Sequence, residues 1–210
     1  MASAGSSRLP AEKRKAQLLD CAAKVFAARG YNGATTAELA KAAGITEPII
    51  YRHFKGKKEM FIALVERSGE QTIRDWEDSL REFKDPAERI ARLIIANPMV
   101  ASRGRTPYRV IVQAMMEVED PDIRDAIQRH IGKLHGFLSA EVRRAQDSGQ
   151  ISKRFSPEIT GWALIHLGMG YGILNALKMP GHGVDKAGGH IVDVIGTLML
   201  AERYKRSAEA

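Results

Sequence analysis

Hydroxyl, imidazole and ammonium groups are concentrated in residues 35–57, and each of them can donate a hydrogen bond to a phosphate oxygen. The same part of the chain is basic. Residues 1–58 contain eleven Lys or Arg and four Asp or Glu, whereas residues 59–210 contain 21 of each, so the first segment holds the whole formal net charge of +7. This asymmetry is typical of an end that binds a polyanion. Nucleic acid, an anionic membrane surface and a simple solvated basic surface all remain open at this point.

Two short helices are predicted in this basic segment. Thr35 or Thr36 suits the N-cap of the first helix, which ends at Gly44. Thr46 suits the N-cap of the second helix, over residues 47–53. Two short helices joined by a tight glycine turn are typical of the helix-turn-helix, whose second helix enters the major groove of DNA. The side of that helix that we expect to face outward carries Glu47, Pro48, Ile49, Tyr51 and Arg52.

Two adjoining stretches match a known family: LLDCAAKVFAARG (Leu18–Gly30) and GYNGATTAELAKAAGITEPIIYRHFKGKKEMF (Gly30–Phe61). The most specific part is Gly44-Ile45-Thr46, followed by Ile50-Tyr51-Arg52-His53-Phe54 and Lys57. Over about residues 16–65 the chain resembles the DNA-binding domain of tetracycline-repressor-type (TetR family) transcriptional regulators. The resemblance implies a homodimeric repressor that leaves a palindromic operator when its C-terminal domain binds a small-molecule effector. Effector, operator sequence, and repression versus activation are left open.

The resemblance also implies roles for individual residues. Phosphate contacts fall on Thr36, whose role Thr35 can share, and on Tyr51, His53 and Lys57. Thr46, Glu47, Pro48 and Ile49 lie nearest the base edges, with Arg52 on the same outward face. The sequence departs from the commoner family pattern at Glu47, where a cation or hydroxyl is usual, and at Pro48, where glycine is usual. Glu47 either accepts a hydrogen bond from a cytosine amino group or stabilises the start of its own helix.

The chain as a whole is predicted to be all-α, with an N-terminal three-helix helix-turn-helix domain joined by a long helix to an α-helical ligand-binding and dimerisation domain. Residues 1–10 are interpreted as a disordered basic arm, 11–58 as the DNA-binding domain and 59–210 as the second domain. Apolar periodicity, caps and breaks predict about nine helices, over residues 12–29, 37–43, 47–53, 57–83, 85–96, 107–118, 122–147, 156–178 and 187–205.

The last two predicted helices, 156–178 and 187–205, are apolar over most of their faces. They favour a homodimer that joins two helices of each chain in a four-helix bundle, although they could instead cover their own core. Methionine and ring side chains suit an adaptable ligand pocket, but at helical spacing they also suit a plain core. The candidate pocket residues are Trp76, Met115, Met116, His130, Phe137, Trp162 and His166.

An enzyme is the first competing interpretation. The glycine-rich stretch Gly168–Gly172 is not preceded by a predicted strand, so a dinucleotide site is not expected, and motifs of nucleophilic hydrolases or P-loop enzymes do not occur. The lone Cys21 excludes an internal disulfide and a multi-cysteine zinc site. His182, Asp185 and His190 lack a fourth ligand. We therefore expect no catalytic residue, no metal and no cofactor.

A membrane-surface module is the second competing interpretation. Such a module needs one strongly basic helix face opposite exposed large apolar side chains, whereas the basic residues here are split over three short helices. The uncharged stretch 159–177 is close to the lower length limit of a membrane span and is interpreted as a buried helix. With no secretory signal recognised, the sequence predicts a cytoplasmic protein without a membrane partner.

Overall fold

The computed structural model of the chain describes residues 10–97, 105–184, 190, 193 and 194. Within these residues it contains helices and no strand, apart from one isolated bridge between Val184 and His190. The predicted all-α class is thereby confirmed. The elements are α1 (Ala11–Gly33), α2 (Thr36–Ala42), α3 (Glu47–Tyr51), α4 (Lys57–Leu80), α5 (Pro86–Ile95), α6 (Arg105–Ala114), a 3-10 turn (Met115–Glu117), α7 (Pro121–Asp147) and α8 (Pro157–Ala176). None of these helices combines the length and apolarity that a membrane span requires.

Helix starts follow the capping residues that the sequence offers. Thr35 forms a capping box with Glu38, and Asp85 and Ser156 accept a backbone hydrogen bond at the starts of α5 and α8. Gly30 directly follows the predicted end of the first helix at residue 29 and has φ +73°, so the regular helix breaks there and residues 31–33 form a further turn.

Several predicted ends are wrong by a few residues. Helix α3 ends at Tyr51 rather than residue 53, and α4 ends at Leu80 rather than 83. The Arg89 guanidinium donates hydrogen bonds to the carbonyl oxygens of Leu80 and Phe83, at 3.0 and 3.1 Å. It thereby supplies partners for carbonyl groups at the end of α4 that have none within the helix. The predicted helix 187–205 lies outside the described residues except at 190, 193 and 194, and the predicted arm does so except at Pro10.

The chain divides into two compact units. The first contains the residues up to Arg67 together with Arg109–Ile127, and the second contains Ser68–Tyr108 and the residues from Gln128 onward. The first unit therefore includes residues 59–67 and 109–127 in addition to the predicted helix-turn-helix. Its core contains the rings of Phe26 and Phe61, whose centroids lie 4.9 Å apart, and the buried side chains of Leu18, Leu39, Ile50 and Phe54.

The second unit has a separate apolar core, built from α4, α5, α7 and α8. Its members include Trp76, Leu80, Ile90, Leu93, Leu134, Leu138, Val142, Leu164 and Ile165. An ion pair borders this core: the Glu141 carboxylate binds Arg89 through Nε at 2.7 Å and Nη2 at 2.8 Å, and Arg144 at 2.6 Å. The Glu141 side chain is only 4% exposed.

Helices α7 and α8 approach closely at Gly161. A Cβ atom at this position would lie 2.5 Å from Ser139 Oγ and 3.3 Å from the His135 ring. We expect the free energy of unfolding of Gly161→Ala to be about 1–3 kcal/mol lower than that of the control Gly132→Ala, because overpacking a core costs that much. Both variants gain the same helix propensity from the replacement of glycine by alanine, so that gain cancels in the comparison. Gly132 is exposed in α7 and a Cβ there meets nothing within 4 Å. Urea unfolding followed by circular dichroism measures the difference, and equal stability of the two variants would contradict it.

Candidate nucleic-acid interface

Of the two threonines predicted at the start of α2, Thr35 forms hydrogen bonds within its own helix. The Thr35 hydroxyl accepts from the Glu38 backbone N–H at 3.2 Å, and the Thr35 N–H donates to the Glu38 carboxylate at 3.2 Å. Glu38 also pairs with Arg29 at 2.8 Å. Thr36 is the first residue of α2 and is half-buried. Thr35 therefore serves as the cap, which leaves the Thr36 hydroxyl as the better candidate for a phosphate.

The turn between α2 and α3 forms as the sequence predicts. Gly44 has φ +66°, which a residue with a side chain rarely adopts, and the Ile45 N–H returns to the Ala40 carbonyl at 3.0 Å. Ile50 is fully buried and Phe54 nearly so. These two side chains hold α3 against the unit and fix which of its sides faces outward.

The outer side of α3 carries hydrogen-bonding and apolar groups in one short stretch. Tyr51 is 55% exposed, and Thr46, Pro48 and Arg52 are exposed as well. The Thr46 side chain makes no capping hydrogen bond, unlike Thr35, so its hydroxyl is not used by its own helix. Glu47, Ile49 and His53 are half-buried at the edge of this surface. The structure thus brings residues 46–53 of the predicted interface together.

Lys57 is placed differently from a simple surface lysine. Its Nζ donates to the carbonyl oxygens of Tyr31 at 3.0 Å and Ala34 at 3.1 Å, and lies 4.6 Å from the centroid of the Tyr31 ring. Two of the three donors of the ammonium are therefore used within the first unit. Sequence reasoning missed these partners because carbonyl groups 23 and 26 residues away carry no sequence signal.

Lys58, which the sequence analysis did not single out, binds an acidic segment. Its Nζ lies 2.6 Å from Asp122 and 3.3 Å from Asp120, and these hydrogen bonds raise the pKa of Lys58. Asp120 also accepts from the N–H groups that open α7. Desolvation works to raise the pKa of Asp120, but the Lys58 and backbone hydrogen bonds outweigh it and the pKa is lowered. The run EVEDPD (Glu117–Asp122) was the only available signal in the sequence.

The predicted pocket residues fall into separate groups. Trp76 and His130 are buried in the second unit, and the Trp76 ring stacks on Phe137 with centroids 5.6 Å apart. Trp162 stacks on His135 at 4.2 Å and on His166 at 6.3 Å, on a partly exposed side of α8. The other two candidates, Met115 and Met116, belong to the first unit, and Met116 is 80% exposed.

Among the described residues of the second unit, two buried polar atoms on α4 are without a hydrogen-bond partner, as is Nε2 of His182 further along the chain. The two on α4 are the indole Nε1 of Trp76 and the hydroxyl oxygen of Ser68. Such groups are costly unless something binds them. Sequence reasoning had included Trp76 for its ring but had missed Ser68, which carries no pattern of its own. In the described part of the chain, no group of three His, Cys, Asp or Glu side chains lies close enough together to hold a metal ion.

Helix α8 leaves large apolar side chains uncovered within the described chain. Those exposed by 42% or more on this helix and just after it are Ile159, Leu167, Ile173, Leu174, Leu177 and Met179. A soluble protein seldom exposes a helix face of this kind. The face agrees with the dimerisation surface that the sequence predicted for residues 156–178.

Comparison with known proteins gives the same family at the sequence and structure levels. The family described as "Bacterial regulatory proteins, tetR family" matches residues 18–64. The HTH-type transcriptional activator FasR of Mycolicibacterium smegmatis is 32% identical over 107 residues, which are 51% of this chain and 49% of that protein. The match therefore spans about half the length of that relative.

Two further proteins match over more of their length. The nucleoid occlusion factor SlmA of Vibrio vulnificus is 31% identical over 141 residues, 67% of this chain and 70% of that protein. The structure of the transcriptional regulator FadR from Bacillus subtilis in complex with stearoyl-CoA superimposes with a TM-score of 0.68 at 18% identity, over 89% of this chain and 95% of that one. That likeness concerns the fold.

Proposed function

Because the chain belongs to the tetR family of bacterial regulatory proteins, as the sequence analysis predicted, we propose that it binds a palindromic operator as a cytoplasmic homodimer and responds to a small-molecule effector. It acts as a transcriptional regulator rather than an enzyme. The observation that carries the proposal is the outer side of α3, where Thr46, Pro48, Tyr51 and Arg52 are exposed while Ile50 anchors the helix.

In this proposal the exposed stretch divides into two kinds of contact. Tyr51, Arg52, His53 and Thr36 donate to phosphate oxygens, which positions the protein on the duplex. The side chains from Thr46 to Ile49 face the base edges, which gives sequence preference. The net charge of +7 that resides in the first 58 residues supports binding to a polyanion.

The homodimer is supported by the exposed apolar side of α8. Two copies that join these surfaces would remove the side chains from water. A dimer that binds a palindrome presents two α3 helices to successive major grooves, about 34–36 Å apart or a multiple of that distance. Size-exclusion chromatography with light scattering tests the dimer. A monomer at micromolar concentration would contradict it.

The effector site is proposed in the second unit, around Trp76 and Phe137. The buried indole N–H and the Ser68 hydroxyl suit acceptor oxygens of a largely apolar molecule. Long-chain acyl-CoA thioesters are the first probes, because FadR of Bacillus subtilis is seen with stearoyl-CoA. Thermal unfolding and DNA binding are measured with each thioester. Thioesters that change neither the melting temperature nor the DNA affinity would be removed as effector candidates.

The DNA function is tested by selecting bound duplexes from a random pool and sequencing them. A two-fold symmetric consensus supports the proposal, because a symmetric dimer reads two equal half-sites. Absence of binding to any duplex at low ionic strength would overturn it. Binding to anionic vesicles that equals or exceeds binding to duplex would favour the membrane-surface interpretation instead.

Glu47 supplies a prediction about base preference. If its carboxylate accepts from a cytosine amino group, Glu47→Gln changes the preferred base at one position of each half-site, by about 1–3 kcal/mol of discrimination. If Glu47 only stabilises the start of α3, the variant keeps the wild-type consensus. Repeating the duplex selection with the variant separates these outcomes.

A further inference from the structure

The first residue of α4 fixes the turn from which α2 begins. Lys57 Nζ donates to the Tyr31 and Ala34 carbonyl oxygens at 3.0 and 3.1 Å. These carbonyls lie between the Gly30 kink and Thr35, the N-cap of α2. Helix α2 has only seven residues, so its placement depends strongly on this anchored start. Loosening the turn would displace α2 and, through the Gly44 turn, α3.

The second residue of α4 binds the acidic segment 117–122. Lys58 Nζ bridges Asp120 and Asp122, at 3.3 and 2.6 Å. The same segment reaches the turn directly, because Asn32 Nδ2 donates to Glu117 Oε1 at 2.8 Å. Of the two adjacent lysines, Lys57 therefore binds the turn before α2 and Lys58 binds the acidic segment, and all of these residues belong to the first unit.

Tyr31 lies between these two sets of contacts. Its ring packs on Phe61, with centroids 4.8 Å apart, and carries the Lys57 ammonium over its face. Burial, followed by the negative charge of Asp120, raises the pKa of Tyr31; the Lys58 charge opposes this rise, and Glu117 adds a smaller contribution to it. The Tyr31 hydroxyl is thus influenced by the charges of the acidic segment, while the ring and the backbone carbonyl of Tyr31 both contact the Lys57 ammonium.

We propose that Lys57 and Lys58 are positioning residues for DNA binding, which hold α2 and α3 in place from inside the unit and do not grip phosphate. The proposal rests on the proposed DNA-binding function. It replaces the phosphate contact that the sequence predicted for Lys57. In this proposal the contacts that segment 117–122 makes with Lys58 and Asn32 influence the placement of α2.

Lys57→Met tests the first lysine, since methionine keeps an apolar stem and removes the ammonium. We expect amide hydrogen exchange over residues 34–42 to accelerate about tenfold or more, because hydrogen bonds to a charged donor are lost. Affinity for a duplex selected by the wild-type protein should fall about tenfold, with the slope of log affinity against log salt unchanged. Lys55→Met, at an exposed lysine two residues earlier, is the control and should leave this exchange unchanged.

The outcomes for Lys57 are distinct. A slope reduced by about 0.9 identifies a phosphate contact and overturns the assignment. Unchanged exchange over residues 34–42 also overturns it. If the wild-type chain binds no duplex, the proposed function fails, while the exchange measurement on DNA-free protein still decides whether Lys57 fixes the turn.

A double-mutant cycle tests the second lysine. Lys58→Met should weaken duplex binding in the wild-type background but have little further effect in a variant carrying Asp120→Asn and Asp122→Asn, because its partners are then already neutral. Lys58→Arg should restore binding, since arginine also pairs with carboxylates. Equal losses from Lys58→Met in both backgrounds would show that Lys58 acts on DNA itself and would overturn its positioning role.

Discussion

Replacing Glu141 by alanine is expected to lower the free energy of unfolding by about 3–5 kcal/mol, because it leaves a partly buried guanidinium without its counter-charge. The Glu141 carboxylate takes two hydrogen bonds from Arg89, at 2.7 and 2.8 Å, and the Arg89 side chain is 19% exposed. Arg89 also holds the Leu80 and Phe83 carbonyls through Nη1. One carboxylate thus stabilises the residue that joins the end of α4 to α5 and α7.

Urea unfolding at a fixed protein concentration measures this loss. The matched control is Asp78→Ala, which breaks the pair that Asp78 makes with Arg81 at 2.7 Å at the C-terminal end of α4, where both side chains are more than half exposed. An exposed pair of this kind contributes about 0–1 kcal/mol. If the two variants lose the same stability, the Arg89–Glu141 pair does not secure the second unit.

Combined replacement of Tyr51 by phenylalanine and Arg52 by alanine is expected to lower DNA affinity about a hundredfold or more. Each hydrogen bond to a charged phosphate contributes about 1.5–3 kcal/mol, and 1.4 kcal/mol corresponds to a factor of ten. Both side chains are exposed, Tyr51 as the last residue of α3 and Arg52 as its C-cap, so their removal leaves the buried anchor of the helix, Ile50, intact. The salt slope should fall by about 0.9 through loss of the Arg52 charge.

Fluorescence anisotropy with a labelled selected duplex, at several salt concentrations, measures both quantities. Arg154→Ala is the control, since Arg154 is an exposed arginine of the second unit and its removal changes the net charge equally. A double variant with the affinity and slope of this control would take Tyr51 and Arg52 out of the interface. The melting temperature should be the same for all three proteins.

Local signals allowed much of the fold to be predicted from the sequence. Capping residues, prolines in first turns and glycines with positive φ act within three or four positions, so they are readable without a structure. Asp85 and Ser156 start their helices as expected, and Gly44 makes the turn before α3. The burial of Ile50 also follows from local spacing. The stretch 46–53 could be predicted as one surface for the same reason.

Contacts between distant positions explain what the sequence analysis missed. Glu141 looks like a surface residue in a polar stretch, but it is buried because Arg89 reaches it from 52 positions away. Lys57 looks like a free cation, but its partners precede it by more than 20 residues. The pocket candidates were chosen by residue type, which does not distinguish a buried ring such as Trp76 from an exposed side chain such as Met116.

The placement of the aromatic side chains has a spectroscopic consequence. The sequence contains two tryptophans, Trp76 and Trp162, and both belong to the second unit. Selective excitation of indole therefore reports on that unit without a label, with a blue-shifted contribution from the buried ring and a red-shifted one from the ring that is 37% exposed. Quenching or shifts during titration of an effector can be assigned to the proposed effector unit, whereas events at α3 need tyrosine emission or an attached dye.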